Sequence, residues 1–323
     1  MGRANNTTTF WELLTLQGAA NHDLKHLKEY MKDISEHTEL LIAPATTTIR
    51  YEPLGVCGVF SAWNYPVLLA LKPVIQCITT GNAVILKPSE IAPATSKVLH
   101  KFVERYLDQD FIRCIEGGVD TAVELNKSKL DLICFTGSTQ VGRIVAQTAA
   151  KNLTPCILEL GGKCPTIVHE TANLDHTVEK LCCAKFLNCG QTCICPDYLF
   201  VHESIFEDFV ARMIQCTKRL FGESATGSAE QGKMINDFHL KRVIKLIETS
   251  GGKIVLGGKA NSTVKHIEPT IILSPSRDSQ ILEEEIFGPV LPILSYKNFD
   301  EVIEFINDKP KPLAVYFYGK PNH

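Results

Sequence analysis

A chain of 323 residues is longer than a single hydrophobic core normally grows, since cores split beyond roughly 250 to 300 residues, so two lobes are expected. Hydrophobic residues make up 45% and charged residues 21%, a globular composition that excludes the disordered, fibrous and membrane-embedded classes. Lys and Arg total 33 against 36 Asp and Glu, a net charge of -3, which supplies no broad positive field for nucleic acid.

The N-terminal stretch Met1 to Phe10 has no apolar signal region, so a cytoplasmic location is expected. An amphipathic helix is predicted around Asp23 to Glu36. Pro53 to Leu71 lacks charge and approaches the length of a membrane span, but Gly55, Gly58, Asn64 and Pro66 would interrupt a lipid-exposed helix. It reads as buried strand, turn and helix, with no membrane anchor. Strand-like Val56 to Ala62, helical Val67 to Thr80, strand-like Ala83 to Leu86 and helical Thr95 to Tyr106 then alternate. Strand-like Leu130 to Phe135, a glycine-bounded turn at Thr136 to Gly142 and a helix over Val141 to Lys151 continue the pattern. Uninterrupted apolar strands between helices predict an α/β fold with a parallel sheet covered on both faces.

A second block opens near Leu158 with strands at Thr166 to Val168 and Leu199 to Val201 and helices at Leu174 to Leu187 and Ile205 to Leu220. The lobe boundary is placed at Glu159, giving lobes 1–158 and 159–323. Ser224 to Gly232 reads as an exposed connection before a helix over Phe238 to Ile247.

Four places can hold chemistry. Phe135-Thr-Gly-Ser-Thr-Gln-Val-Gly142 follows a strand and opens a helix, so its amides could face a pyrophosphate; Gly137 and Gly142 match no established phosphate motif, and a structural turn is equally compatible. Lys87 and Glu90 end another strand and could hold ribose hydroxyls, or simply be solvated charges on a proline turn. Glu159 is a lone carboxylate in an apolar stretch: either a general base with a raised pKa or half of a salt bridge, with Lys163 as partner. Twelve cysteines in so long a chain read as free thiols. Cys182 and Cys183 sit in a helical apolar segment and read as packing residues. Cys189, Cys193 and Cys195 differ: they lie in a glycine-containing loop flanked by polar Asn188, Gln191 and Thr192, as expected where a side chain meets a small substrate. A structural zinc site is the rival, but C-x-x-x-C-x-C lacks paired C-x-x-C spacing, so no metal is expected.

Taken together, Ser61-Ala-Trp-Asn-Tyr-Pro66, Gly81-Asn-Ala-Val-Ile-Leu-Lys-Pro-Ser-Glu90, Phe135 to Gly142, Leu158-Glu-Leu-Gly-Gly-Lys163, Gly190-Gln-Thr-Cys193 and Glu284-Glu-Ile-Phe-Gly-Pro289 resemble the aldehyde dehydrogenase superfamily, in its order and approximate spacing. Pro196-Asp197-Tyr198 is similar to the class 3 and fatty-aldehyde branch. The resemblance runs from about residue 20 to about residue 320 and implies a Rossmann-type cofactor domain at 1–158 and an α/β catalytic domain at 159–323. It implies that Cys193 attacks an aldehyde carbon, that Asn64 and the Cys193 amide hold the oxyanion, and that Glu159 activates the hydrolytic water. Lys87 and Glu90 are implied at the adenosine ribose, Ser138 at the pyrophosphate with Gly137 and Gly142 beside it, Glu285 at the nicotinamide ribose, and Phe287 and Leu160 on the nicotinamide side. A carboxylate near the 2'-hydroxyl repels a 2'-phosphate, so NAD is expected, with NADP also accepted by class 3-like enzymes.

The resemblance implies a family that ordinarily continues beyond the segment like Leu313 to Tyr318, including strands used in dimer formation, and whose first N-terminal helices are not expected in this chain. Exposed apolar surface, bare strand edges and a weakened homodimer are therefore expected. A non-catalytic cofactor-binding fragment, or a partner of a full-length relative, is the alternative reading. Cys195 stands close enough to Cys193 to raise the question of oxidative inactivation, although a bridge across two residues would be strained.

Overall fold

In a computed structural model that describes residues 2–222 and 231–320, the backbone hydrogen bonds of the parallel strands sort into two sheets, one in each of two units. The units are Thr8–Glu159, and Leu160–His323 together with Met1–Thr7. The 223–230 part of the expected connection at 224–232 lies outside the described residues.

A short turn α1 (Asn5–Thr8) runs up to the start of the first unit, in which a π-helical turn at Thr9–Leu14 leads into α2 (Thr15–Tyr30). The helix predicted over Asp23 to Glu36 is thus displaced: the chain turns after Tyr30, and β1 (Ile34–Glu36) pairs antiparallel with β2 (Thr47–Ile49). Next come β3 (Val56–Phe60), α3 (Leu68–Thr79), β4 (Ala83–Lys87), α4 (Pro93–Tyr106), β5 (Ile112–Cys114), α5 (Val119–Lys127), β6 (Leu132–Thr136), α6 (Thr139–Ala149) and β7 (Cys156–Glu159). Proline at the start of α4 suits a position whose amide has no intrahelical acceptor. The sheet order is β5-β4-β3-β6-β7, every pair parallel. Because β3 connects to β4 on one side and β6 pairs on the other, the order reverses between β3 and β6, and such reversal points open a crevice at the carboxyl ends of the strands. Cys57, Val59, Leu86, Leu99 and Val103 form the core on one sheet face.

The second unit contains β8 (Pro165–Val168), α7 (Leu174–Phe186), β9 (Tyr198–His202), α8 (Phe206–Phe221), α9 (Asp237–Glu248), β10 (Lys253–Leu256), the small pair β11 (Ala260–Asn261) and β12 (His266–Ile267), β13 (Thr270–Leu273), α10 (Gln280–Glu283), β14 (Val290–Tyr296), α11 (Phe299–Asn307) and β15 (Tyr316–Tyr318). The order β10-β13-β14-β9-β8-β15 is parallel except for the β10–β13 pair. Successive strand residues point to opposite faces, so Ile167 and Phe200 join the core under α9 and α11, while Val168, Leu199 and Val201 join the core under α7 and α8. Val315 and Phe317, in and before the edge strand β15, are exposed. Among the described residues no helix is long and apolar enough to cross a membrane; the uncharged Pro53 to Leu71 is β3, a turn and the start of α3.

Candidate functional site

In the first unit the strand register aligns the expected residues along one edge. Phe60 is opposite Lys87 on one side and Phe135 on the other, and Thr136 is opposite Glu159. Lys87, the Thr136–Ser138 turn and Glu159 therefore all lie at carboxyl ends of parallel strands, with Asn64 in the turn that follows β3. Lys87 is buried, and its ammonium donates to the Pro88 carbonyl at 2.9 Å and to the Glu90 carboxylate at 2.6 Å. Burial pushes the Glu90 carboxyl up, but the hydrogen bond from Lys87, its own amide and the Lys87 charge outweigh this and hold it below the usual carboxylate range. Glu90 is thus a fixed anion, and Lys87 has a third ammonium hydrogen to offer.

Ser138 is the N-cap of α6, its hydroxyl accepting from the Val141 amide at 3.4 Å. The first amides of the helix, which have no intrahelical acceptor, follow it directly. Gly142 is buried in that helix with its amide bonded to the Ser138 carbonyl at 2.9 Å. The Gly137 amide donates to the Glu159 carbonyl at 3.0 Å, tying the two turns together. Asn64 is buried. The chain just beyond it is anchored by Glu12, whose buried carboxylate accepts from the Val67 and Leu68 amides at 2.8 and 3.1 Å and caps the start of α3. An anion there suits the positive end of the helix. No local sequence signal marked Glu12.

The reading of Glu159 as a buried carboxylate needs correction. It is exposed, because β7 is the edge strand and its alternate residues Ile157 and Glu159 face outward. The proposed Lys163 partner is also wrong: the Lys163 ammonium bonds to Asp197 at 2.6 Å.

In the second unit Cys193 is half-buried in the loop before β9. The approach to it has three consecutive left-handed residues, Asn188 (φ 54), Cys189 (φ 57) and Gly190 (φ 69), a conformation that is costly for residues with a Cβ and persists only where its surroundings enforce it. The enforcement is visible. Asn188 Nδ2 donates to the Gln191 carbonyl and Gln191 Nε2 to the Asn188 carbonyl, both at 3.0 Å. Gln191 Nε2 also reaches the Lys233 carbonyl, and its Oε1 accepts from the Ile235 amide. A side chain on Gly190 would put its Cβ 2.2 Å from the Gly288 carbonyl oxygen. Asn188 and Gln191, read from the sequence as the polar flank of this loop, are buried and scaffold it.

The neighbouring thiols are set apart from Cys193 by burial. Cys189 packs against Met234 and Cys195 against the carbonyls at the end of α7; burial pushes each thiol up to about 12. Cys164, whose thiol donates to the Cys193 carbonyl at 3.5 Å, is pushed up to about 11 for the same reason. Cys195 therefore reads as a packing residue. Cys183 does not: it is exposed on α7, contrary to expectation, while Cys182 is buried against Met213.

The loop containing Glu285 comes next to this one. A Cβ at Gly161 would stand 2.4 Å from Glu285 Oε2, so a side chain there would displace the Glu285 carboxylate. Burial, and then the Asp197 charge, push the Glu285 carboxyl up to about 7, against the Gly162 amide, Lys163 and Arg242. Phe287 has a left-handed φ of 46, and Leu160 is half-buried. A cavity of about 320 Å³ beside α9 is lined by Phe238, Lys241, Arg242, Lys245, Gln280 and Glu284. No group of three or more metal-ligating side chains occurs among the described residues.

Within the first unit the residues present fit part of a dinucleotide: the capped helix amides at Ser138 suit a pyrophosphate and the Lys87–Glu90 pair suits ribose hydroxyls. Within the second unit, the glycine at position 161 leaves the Glu285 carboxylate uncovered by any side chain at that position. Residues 12–322 match the aldehyde dehydrogenase family. Aldehyde dehydrogenase family 3 member A2 of Macaca fascicularis is 41% identical over 312 residues, 97% of this chain and 64% of its own length. The mouse protein named aldehyde dehydrogenase, dimeric NADP-preferring, is 39% identical over 98% of this chain and 70% of its own. A solved structure described as the substrate-bound state of Staphylococcus aureus AldH superposes with a TM-score of 0.95 at 36% identity, covering 99% of this chain and 70% of that one. The chain thus spans about 64% of the length of the first of these relatives.

Proposed function

Because this chain belongs to the aldehyde dehydrogenase family, we propose that it oxidises an aldehyde to the carboxylic acid, with NAD as the preferred cofactor and NADP as a second one. The observation that supports this best is the loop before β9, where backbone strain, buried scaffolding and a half-buried Cys193 coincide while Cys164, Cys189 and Cys195 are buried and held protonated.

In this reading the Cys193 thiolate attacks the aldehyde carbon, and the Asn64 amide and Cys193 N–H stabilise the oxyanion of the thiohemiacetal. Donors of that kind are worth roughly 10² to 10³ in rate each. The bound cofactor supplies the hydride acceptor. Loss of hydride leaves a thioester on Cys193, and Glu159 takes a proton from the water that hydrolyses it. An exposed edge position suits a base that must meet water. Lys87, Glu90, Ser138, Gly137, Gly142, Glu285, Phe287 and Leu160 hold the cofactor in this scheme. The Glu90 charge disfavours a 2'-phosphate, while the name of the mouse relative keeps NADP in the proposal.

Formation of reduced nicotinamide on adding a medium-chain or aromatic aldehyde, abolished in Cys193→Ala, is the test. If both chains bind NAD and neither turns over, the non-catalytic cofactor-binding alternative replaces this reading. A homodimer, as in the name of the mouse relative, and a cytoplasmic location complete the proposal; light scattering and cell fractionation test them.

A further inference from the structure

We propose that Asp197 is a positioning residue that fixes the Glu285 loop against the Cys193 loop, making cofactor holding and nucleophile placement depend on one buried carboxylate. This rests on the aldehyde dehydrogenase reading above.

Asp197 is 2% exposed, and a buried charge is costly unless paired and hydrogen-bonded. Its partners come from separate segments. Lys163 Nζ donates to Oδ2 at 2.6 Å, the Ile286 amide reaches both carboxylate oxygens at 3.2 and 3.3 Å, and Lys185 Nζ is 3.8 Å from Oδ1. Lys185 is wholly buried and its ammonium donates no hydrogen bond among the described residues, and Asp197 is the anion beside it. The Asp197 amide bonds to the Cys164 carbonyl at 2.8 Å, and the Cys164 thiol to the Cys193 carbonyl. One residue thus links the nucleophile's loop to Ile286, between Glu285 and Phe287.

The other side of that loop is held too. Lys163 Nζ also bonds the Glu284 carbonyl at 3.0 Å, and Arg242 bonds Glu284 Oε1 at 3.1 Å, the Glu285 carbonyl at 3.0 Å and the Ile286 carbonyl. With both sides pinned, the left-handed Phe287 is retained. Well-packed apolar groups can replace a buried ion pair at no loss of stability; what they cannot do is orient an amide and set the charge near Glu285. The charges facing Glu285 are Asp197, Lys163 and Arg242. Asp197 raises its carboxyl and Lys163 lowers it, so removing the two charges moves the Glu285 titration in opposite directions.

The experiment measures amide hydrogen exchange over Glu284 to Phe287, and NADH affinity against pH by fluorescence, in the unaltered chain, Asp197→Asn, Asp197→Glu and Lys163→Met. Asp197→Asn is expected to speed exchange at Ile286, to weaken NADH binding about tenfold, as for loss of a charged hydrogen bond, and to move the pH midpoint of binding down; Asp197→Glu recovers part of each. Lys163→Met is expected to speed the same exchange and move the midpoint up. If exchange at Ile286 is unchanged in both Asp197→Asn and Lys163→Met, or if the midpoint moves in neither, the inference is overturned. An Asp197→Asn chain that does not fold leaves Lys163→Met to decide. If the unaltered chain binds neither NADH nor NADPH, the functional reading fails, and hydrogen exchange still decides the positioning role.

Discussion

The Lys87 ammonium and the Glu90 carboxylate meet at 2.6 Å across the turn that ends β4, and the pair fixes an anion where the parallel sheet presents its carboxyl edge. The Lys87 side chain is 5% exposed and the Glu90 side chain 41%, so the carboxylate faces outward while its partner anchors it from below. Glu90→Gln keeps the shape and removes the charge. It is expected to weaken NAD and to raise kcat/KM with NADP relative to NAD by about tenfold, the scale of one charged hydrogen bond. Initial rates with both cofactors check this; an unchanged ratio removes Glu90 from cofactor selection.

Cofactor affinity is expected to depend on the ionisation of Glu285. Its carboxyl, pushed up chiefly by burial and then by Asp197 to about 7, accepts hydroxyl hydrogens more strongly when ionised. Affinity is therefore full above that pH and falls as pH drops through it. The same shift acts on stability with the opposite preference: the folded chain holds this proton more tightly than an unfolded one with the ordinary value of 4.5, so the group's contribution to stability is lost as pH rises from 4.5 through 7. Glu285→Gln removes both dependences, which calorimetric titration and thermal melts across pH would register.

Gln191 is expected to matter for stability as much as for chemistry. Replacing it with Leu removes its hydrogen bonds to the part-buried Lys233 carbonyl and Ile235 amide, together costing about 1 to 3 kcal/mol, and releases the left-handed run at 188–190. Chemical denaturation measures the first effect. The second is read as a change in the alkylation rate of Cys193 by iodoacetamide, and identical rates in both chains would refute it.

Glu12→Ala removes the cap on α3 and is expected to cost about 0.5 to 2 kcal/mol. If the cap also steadies the turn bearing Asn64, kcat falls while the cofactor KM stays constant. A fall in melting temperature with unchanged kcat would assign Glu12 to stability alone.

Much of the layout was legible locally. The apolar runs at Val56, Ala83, Leu132 and Tyr198 begin strands, and the helices after them start within a few residues of the predicted positions, because periodicity and turn residues act over short range. Short elements escaped: Ile112–Cys114 and Cys156–Glu159 have too few residues to display a period. Glu159 misled because its flanking Leu158 and Leu160 suggested burial, whereas an edge strand leaves one side open.

By itself the sequence determined the alternation of strand and helix, the family, and the segments from which the candidate residues come, since each is written in contiguous motifs. Only the tertiary structure decided which polar residues scaffold and which face outward. Lys163 chose Asp197, 34 residues on, over nearby Glu159; Glu12 capped an amide 55 residues away; Asp197 took the Ile286 amide at a separation of 89. Such pairings follow from strand order and loop approach, which bring distant residues together through packing of the whole unit, and no local pattern of residue types encodes them.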